Sequence, residues 1–324
     1  MGGTLFHFRA NAGKTVTVLG TRRVNHREDQ RHLLAGISRR FDIVVFFNDG
    51  KFVSIKHRAK GQSIFVFSGG VIPNALLGFI ESLRDNGIRP KLFVLAGSDR
   101  TFPRQVDQRQ PSNGPGALAT ARKIVATLEE LNCSFWVENL DTEGLGIHAL
   151  PTGFVPEGKP GRIQRATPNL VLQPNNSDHP RVLLFQRVRD GTQWETRRTV
   201  ERIAKSRWSD FVDVYDGNVS PKRYRQILRT YPFNLCVEGG GLDPSPKAFE
   251  SLWAGTIPII RKNPTTEAYS ALPVVVLEDW TADALNEALL REWLARCRRD
   301  WPDWSVVRHR LSEAYWWKSM NRRR

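Results

Sequence analysis

The residues with chemistry to offer concentrate in 233–280. Gly239, Gly240 and Gly241 follow a short apolar run, Asp243 and Ser245 close the turn, and Lys247 and Glu250 stand one helical turn apart in the segment that follows. Glycines let a backbone approach a ligand closely, and a helix start offers N–H groups to an anion. A lysine in the first turn adds countercharge, and a glutamate one turn later accepts hydrogen bonds from ribose hydroxyls. Together these groups suit a nucleotide diphosphate.

Such a turn works only at the carboxyl end of a strand in an open α/β sheet, where such sheets bind ligands. The flanking pattern supplies that setting. Apolar runs at 233–237 and 256–260 enclose the glycines and a helix-like stretch, which reads as strand, turn, helix, strand. Arg187 and Arg189 directly follow another apolar run, 181–186, and face the same edge. Guanidinium groups there neutralise a departing diphosphate, the electrostatic task of a transferase without a metal. Arg223 and Arg225, within a helical pattern, read as solvated charges, and Asp279-Trp280 reads as a cap and packing element.

In the first half, Gly97-Ser98-Asp99-Arg100 ends the apolar run 92–95. A carboxylate at a strand end opposite the donor crevice is placed to take a proton from an acceptor hydroxyl. Asp99 is therefore the candidate base, with Asp49 and Glu138 in reserve; the competing reading of Asp99 is an Asx turn or helix cap. His148 falls on a loop in 147–153, where two domains would meet.

The elements that hold these groups alternate along the chain. Runs 15–19, 43–47, 63–67, 92–95 and 134–137 read as strands, and 29–39, 73–85 and 116–131 as helices. Residues 51–57 pair back on 43–47 through Asn48-Asp49-Gly50. A Pro- and Gly-rich stretch, 156–179, reads as a linker. Alternation then restarts with strands 181–186, 211–215 and 273–277, helices 194–206, 221–230 and 282–297, and a last helix over 303–317. This pattern predicts an α/β fold of two Rossmann-like α/β/α domains facing across a cleft, 1–165 and 166–300, with a C-terminal segment 301–324 that packs back on the first domain.

The 324 residues suffice for two cores, and 40% hydrophobic with 25% charged residues is ordinary for a soluble globular protein. No apolar run is long enough to span a membrane and the N-terminus lacks a signal-peptide core, so a cytoplasmic protein is expected. Three scattered cysteines read as buried thiols. The net charge of +15 suits a polyanion or a phosphate-bearing ligand, but no nucleic-acid-binding motif accompanies it. No Asp-x-Asp and no metal-spaced cluster occurs, and no Gly-x-Ser-x-Gly elbow of a serine hydrolase.

The segment 233–280 resembles the nucleotide-sugar-binding half of GT-B glycosyltransferases, and within them the exostosin-like families. The residues that carry the resemblance are Phe233, Leu235, Cys236, Gly239, Gly241, Asp243, Lys247, Glu250, Gly255, Ile257, Pro258, Tyr269, Leu272, Pro273 and Asp279-Trp280. The Lys-x-x-Glu spacing is similar to that of fucosyltransferases, whose basic residue meets the donor pyrophosphate. One departure is the position of the basic residue, which stands four after the Asp instead of three. The resemblance implies an inverting, metal-independent transfer of a sugar from a nucleotide-sugar donor, most simply a UDP-sugar such as UDP-xylose or another UDP-hexose or pentose, to a glycan hydroxyl. Residue placement and the resemblance together give the expected donor contacts, Arg187, Arg189, Gly239, Gly240, Gly241, Asp243, Ser245, Lys247 and Glu250, with Asp99 as base. A silent nucleotide- or glycan-binding module and a basic polyanion-binding protein are the alternatives.

Overall fold

The computed structural model describes residues 6–9, 15–18, 37–48, 51–57, 62–107, 111–154, 180–186, 194–215, 219–244 and 246–322. Strands β1 (Phe6–Arg9) and β2 (Thr15–Val18) form an antiparallel pair. The first α/β unit then runs β3 (Ile43–Asn48), β4 (Lys51–His57), β5 (Ser63–Phe67), α1 (Pro73–Asp85), β6 (Leu92–Ala96), α2 (Ala117–Glu130), β7 (Ser134–Glu138) and β8 (His148–Leu150). Its sheet has the order β4-β3-β5-β6-β7-β8, parallel throughout except for β4. Of the helix expected over 29–39, residues 29–36 lie outside the described residues, and Ser38–Arg40 form a 3-10 turn.

Local sequence explains the helix bounds. Pro73 opens α1, where a missing N–H costs nothing, and Leu76, Phe79, Ile80 and Leu83 recur on its buried face. Gly87, at φ 75° in the left-handed region that glycine adopts most readily, ends the helix. Phe79 meets Phe93 of β6 with ring centroids 6.4 Å apart. Phe65 pairs across the sheet with Val94, the neighbour of Phe93, so Phe65 points to the opposite face.

The second unit runs β9 (Val182–Phe185), α3 (Glu195–Ala204), β10 (Val212–Tyr215), α4 (Pro221–Leu228), β11 (Phe233–Leu235), α5 (Pro246–Ala254), β12 (Ile257–Arg261) and β13 (Val275–Leu277). All five strands are parallel in the order β10-β9-β11-β12-β13. The chain leaves β9 toward β10 on one side and returns to β11 on the other. That reversal is a topological switch point, the place where open α/β sheets form a ligand crevice outside the carboxyl ends of the two strands.

Three elements differ from the sequence reading. Residues 148–150, read as loop, form the short edge strand β8 beside β7. The helix expected over 282–297 begins later, as α6 (Glu287–Asp300), because the Asn286 side chain accepts Leu289 N–H at 2.9 Å and caps it there. The single helix expected over 303–317 is two, α7 (Trp304–Arg310) and α8 (Glu313–Arg322). Ser312 Oγ accepts Tyr315 N–H at 3.1 Å and starts the second.

The tail then returns to the first unit. Trp304 of α7 donates its indole N–H to Leu252 O of α5 at 2.8 Å. Further on, Trp317 of α8 meets Phe41 edge-on at 5.2 Å, and Phe41 in turn meets Phe65 at 5.3 Å. Thus α1 packs on one face of the first sheet and the C-terminal helix approaches the other.

Candidate functional site

The crevice at the switch point is bounded by Gln186 after β9 and by residues 236–241 after β11. Its floor is built around Arg197 of α3, which is buried. Arg197 Nε donates to Glu238 O at 3.0 Å, and the guanidinium lies 4.7 Å from the centre of the Trp194 ring. Gln186 Nε2 donates to Arg197 O at 2.7 Å and ties the end of β9 to the same helix. Gly239 rests directly on this group: a Cβ there would lie 2.9 Å from Arg197 Nη2. The glycine is needed for close approach to the guanidinium.

Lys247 enters from the first turn of α5. Its stem is half-buried, but Nζ is out of contact with solvent and has no hydrogen-bond partner among the described residues. Its pKa is lowered to about 7, first by burial and then by the charge of Arg197, against the opposing influence of Cys236, Glu250 and Glu238. The start of α5 is anchored from below. Asn234 Nδ2 donates to Ser251 Oγ at 2.8 Å, and Ser251 Oγ donates to Lys247 O at 2.6 Å. Glu250, half-buried one turn after Lys247, exerts its charge on Lys247, Cys236 and the Tyr224 hydroxyl. Glu238 is held in place by an ion pair with Arg261 and by Trp280 Nε1, which donates to it at 3.0 Å. Asp279 braces the same corner, accepting Trp280 N–H at 2.8 Å.

The far side of the glycine turn faces the first unit. Asn139, just past β7, accepts Leu242 N–H at 3.0 Å and Asp243 N–H at 2.9 Å through Oδ1. Its Nδ2 donates to Ser98 O at 3.0 Å. One side chain therefore joins the turn that carries Asp99 to the turn that carries the glycines. Gly241 is pressed against it: a Cβ there would lie 2.2 Å from Asn139 Oδ1. Asp243 is buried in the same seam. Tyr269 OH donates to its two oxygens at 3.0 and 2.9 Å, and Thr152 N–H donates to Oδ2 at 3.2 Å. Burial raises the Asp243 pKa to about 7, with the charge of Glu138 adding to the rise and the bonds from Tyr269 and Thr152 opposing it.

In the first unit, Asp99 is exposed at the end of β6. Glu138 is buried, and its Oε2 accepts Gly97 N–H, which fixes the same turn. A cleft of about 500 Å³ opens beside Arg100, lined also by Asn74, Asn113 and Gly116 at the amino ends of α1 and α2. His148 lies tilted against Trp136, with ring centroids 4.6 Å apart.

The structure thus brings Gly239, Lys247 and Glu250 near Arg197 at the carboxyl end of β11, and sets Gly241 against Asn139 in the seam. It places Asp243 in the seam behind them, and brings the Asp99 turn within one side chain of that seam. Arg187, Arg189, Ser245 and Asp49 lie outside the described residues. Arg197 and Asn139 escaped the sequence reading. Arg197 sits among other arginines of an amphipathic helix, and only the glycine pressed on it distinguishes it. Asn139 directly follows a strand-end glutamate, a position that marks it only weakly. Among the described residues no group of three or more His, Cys, Asp or Glu side chains is placed to hold a metal ion.

No protein-family model and no curated protein matches the sequence. Among solved structures, the chain is similar to one described as the OtsA apo structure, at 11% identity over 80% of this chain and 69% of that one, with a TM-score of 0.33. It is also similar to the glycotransferase of kitacinnamycin, at 12% identity over 81% and 73%, with a TM-score of 0.35. A third is described as trehalose-6-phosphate from E. coli bound with UDP-2-fluoro glucose, at 12% identity over 80% and 70%, with a TM-score of 0.35. Scores this low leave the reading of the site to its own geometry.

Proposed function

We propose that the chain is a glycosyltransferase of the GT-B arrangement whose crevice beside β9 and β11 binds the diphosphate of a nucleotide-sugar donor. The observation that carries this reading is the pair of buried cations at the switch point. Arg197 and Lys247 lie close enough for one charge to disfavour the other, and Lys247 Nζ has no acceptor among the described residues. A buried ammonium is costly without an acceptor, and a diphosphate supplies both acceptor and countercharge. Glu250 accepts from the ribose hydroxyls, and Arg187, Arg189 and Ser245 complete the phosphate contacts. The motif of residues 233–280 supports uridine as the base.

Asp99 is the base in this reading. The acceptor hydroxyl, held toward the Arg100 cleft, loses its proton to the Asp99 carboxylate as its oxygen forms a bond to the anomeric carbon. The bond from that carbon to the phosphate oxygen breaks, and the leaving diphosphate gains the negative charge that Arg197 and Lys247 stabilise. Attack from the face opposite the diphosphate inverts the anomeric configuration, the outcome the exostosin-like resemblance implies.

The test is a screen of nucleotide sugars for hydrolysis and then for transfer to simple sugars, with the product anomer read by proton NMR. Turnover that Asp99→Asn abolishes while donor affinity is kept supports the assignment. Donor binding without turnover on any acceptor would instead identify a silent binding module, and retained activity in Asp99→Asn would move the base to Glu138 or Asp49. Glu250→Ala with undiminished nucleotide affinity would remove the ribose assignment.

A further inference from the structure

The two cations of the crevice are held very differently. Arg197 is fixed by Glu238 O, by Val237 O at 3.4 Å from Nη2, and by the Trp194 ring. Lys247 Nζ, by contrast, is buried with no hydrogen-bond partner among the described residues. The charged and titratable groups that act on it come from three directions. Arg197 belongs to α3, Cys236 and Glu238 follow β11, and Glu250 lies on its own helix. Of these, Glu238 is already engaged by Arg261 and Trp280. The Cys236 thiol is pushed up to about 12 by burial and carries no countercharge near neutrality.

A buried amine without an acceptor beside a fixed guanidinium favours its neutral form, and burial accordingly lowers Lys247 to about 7. A diphosphate in the crevice reverses that preference, because its oxygens accept from Nζ and its charge outweighs that of Arg197. We propose that the crevice takes up a diphosphate together with one proton, which binds at Lys247 Nζ, an inference that rests on the diphosphate reading of the site. The empty site is then held partly discharged in weakly alkaline solution, and the loaded site is fully cationic. Affinity for a diphosphate falls as pH rises above neutrality, by about tenfold per pH unit until the bound amine itself titrates.

Calorimetric titration of the full chain with UDP at pH 8.0, in HEPES and in Tris, measures the proton directly from the dependence of the observed heat on buffer ionisation. A group of pKa about 7 is mostly neutral at pH 8, so the wild type is expected to take up roughly 0.9 proton per UDP bound. Lys247→Arg keeps its charge at every working pH and is expected to bind UDP with no uptake. Wild-type binding without proton uptake overturns the inference and leaves the diphosphate reading standing. The same uptake in Lys247→Arg overturns the assignment to Lys247. If UDP does not bind the wild type at all, the diphosphate reading itself fails.

Discussion

Asn139 Oδ1 accepts the backbone N–H of Asp243 at 2.9 Å, a bond between residues from opposite halves of the chain. The same oxygen takes Leu242 N–H, and the amide nitrogen of Asn139 donates to Ser98 O, beside Asp99. The glycine turn therefore does more than border a ligand. Its first glycine rests on Arg197 in the crevice, and its last is pressed against Asn139 in the seam.

Removing the Asn139 side chain leaves two backbone N–H groups in the seam without an acceptor. Asn139→Ala is expected to destabilise the protein by about 2–6 kcal/mol, since each orphaned buried group costs about 1–3 kcal/mol. Urea denaturation measures it. A cost below about 0.5 kcal/mol would mean that the seam bonds contribute little.

Gly241 tests the same contact from the other side. A methyl at 241 has no room against Asn139 Oδ1, so Gly241→Ala is expected to cost about 1–3 kcal/mol by overpacking. In an Asn139→Ala background the obstructing amide is gone and the added cost should shrink. Equal costs in both backgrounds would show that the two residues do not meet.

Asp243 makes the seam sensitive to pH. Its carboxyl, raised to about 7 chiefly by burial, holds its proton more tightly when folded than the unfolded chain does, whose Asp titrates near about 3.9. Between these values the folded state binds a proton that the unfolded state has lost. Its contribution to stability is thus largest below about pH 4, falls as pH rises to about 7, and is level above that. Asp243→Asn keeps an acceptor for Tyr269 and carries no titrating group. Relative to the wild type, the variant should therefore gain stability steadily between pH 4 and 7 in paired thermal melts. A constant difference across that range would show that Asp243 stays ionised when folded.

Much of this fold was legible in the chain. Pro73 with the spacing of Leu76, Phe79, Ile80 and Leu83 is enough to draw α1, and 233–261 reads correctly as strand, turn, helix and strand. What escaped depends on single side-chain bonds or on tertiary contact. Asn286 and Ser312 shift helix starts by capping, a choice among several polar residues that periodicity does not make. At the site, Lys247 and Glu250 stood out because they share a helix face near glycines. Arg197 and Asn139 reach the turn from remote elements, and their roles appear only when the halves come together.

Lys247 offers the sharpest test of the diphosphate crevice. Met fills the space of the stem without an amine, and replacing a buried, unpartnered group by an apolar one leaves stability equal or higher. Lost binding in Lys247→Met would therefore not reflect unfolding. Calorimetric titration of the wild type and Lys247→Met with UDP at pH 7.0 is expected to show binding weaker by about 10–100-fold in the variant, the equivalent of one charge-assisted hydrogen bond of about 1.5–3 kcal/mol. Equal affinity in the two proteins would contradict a diphosphate held by Lys247 and, with it, the central assignment of this crevice.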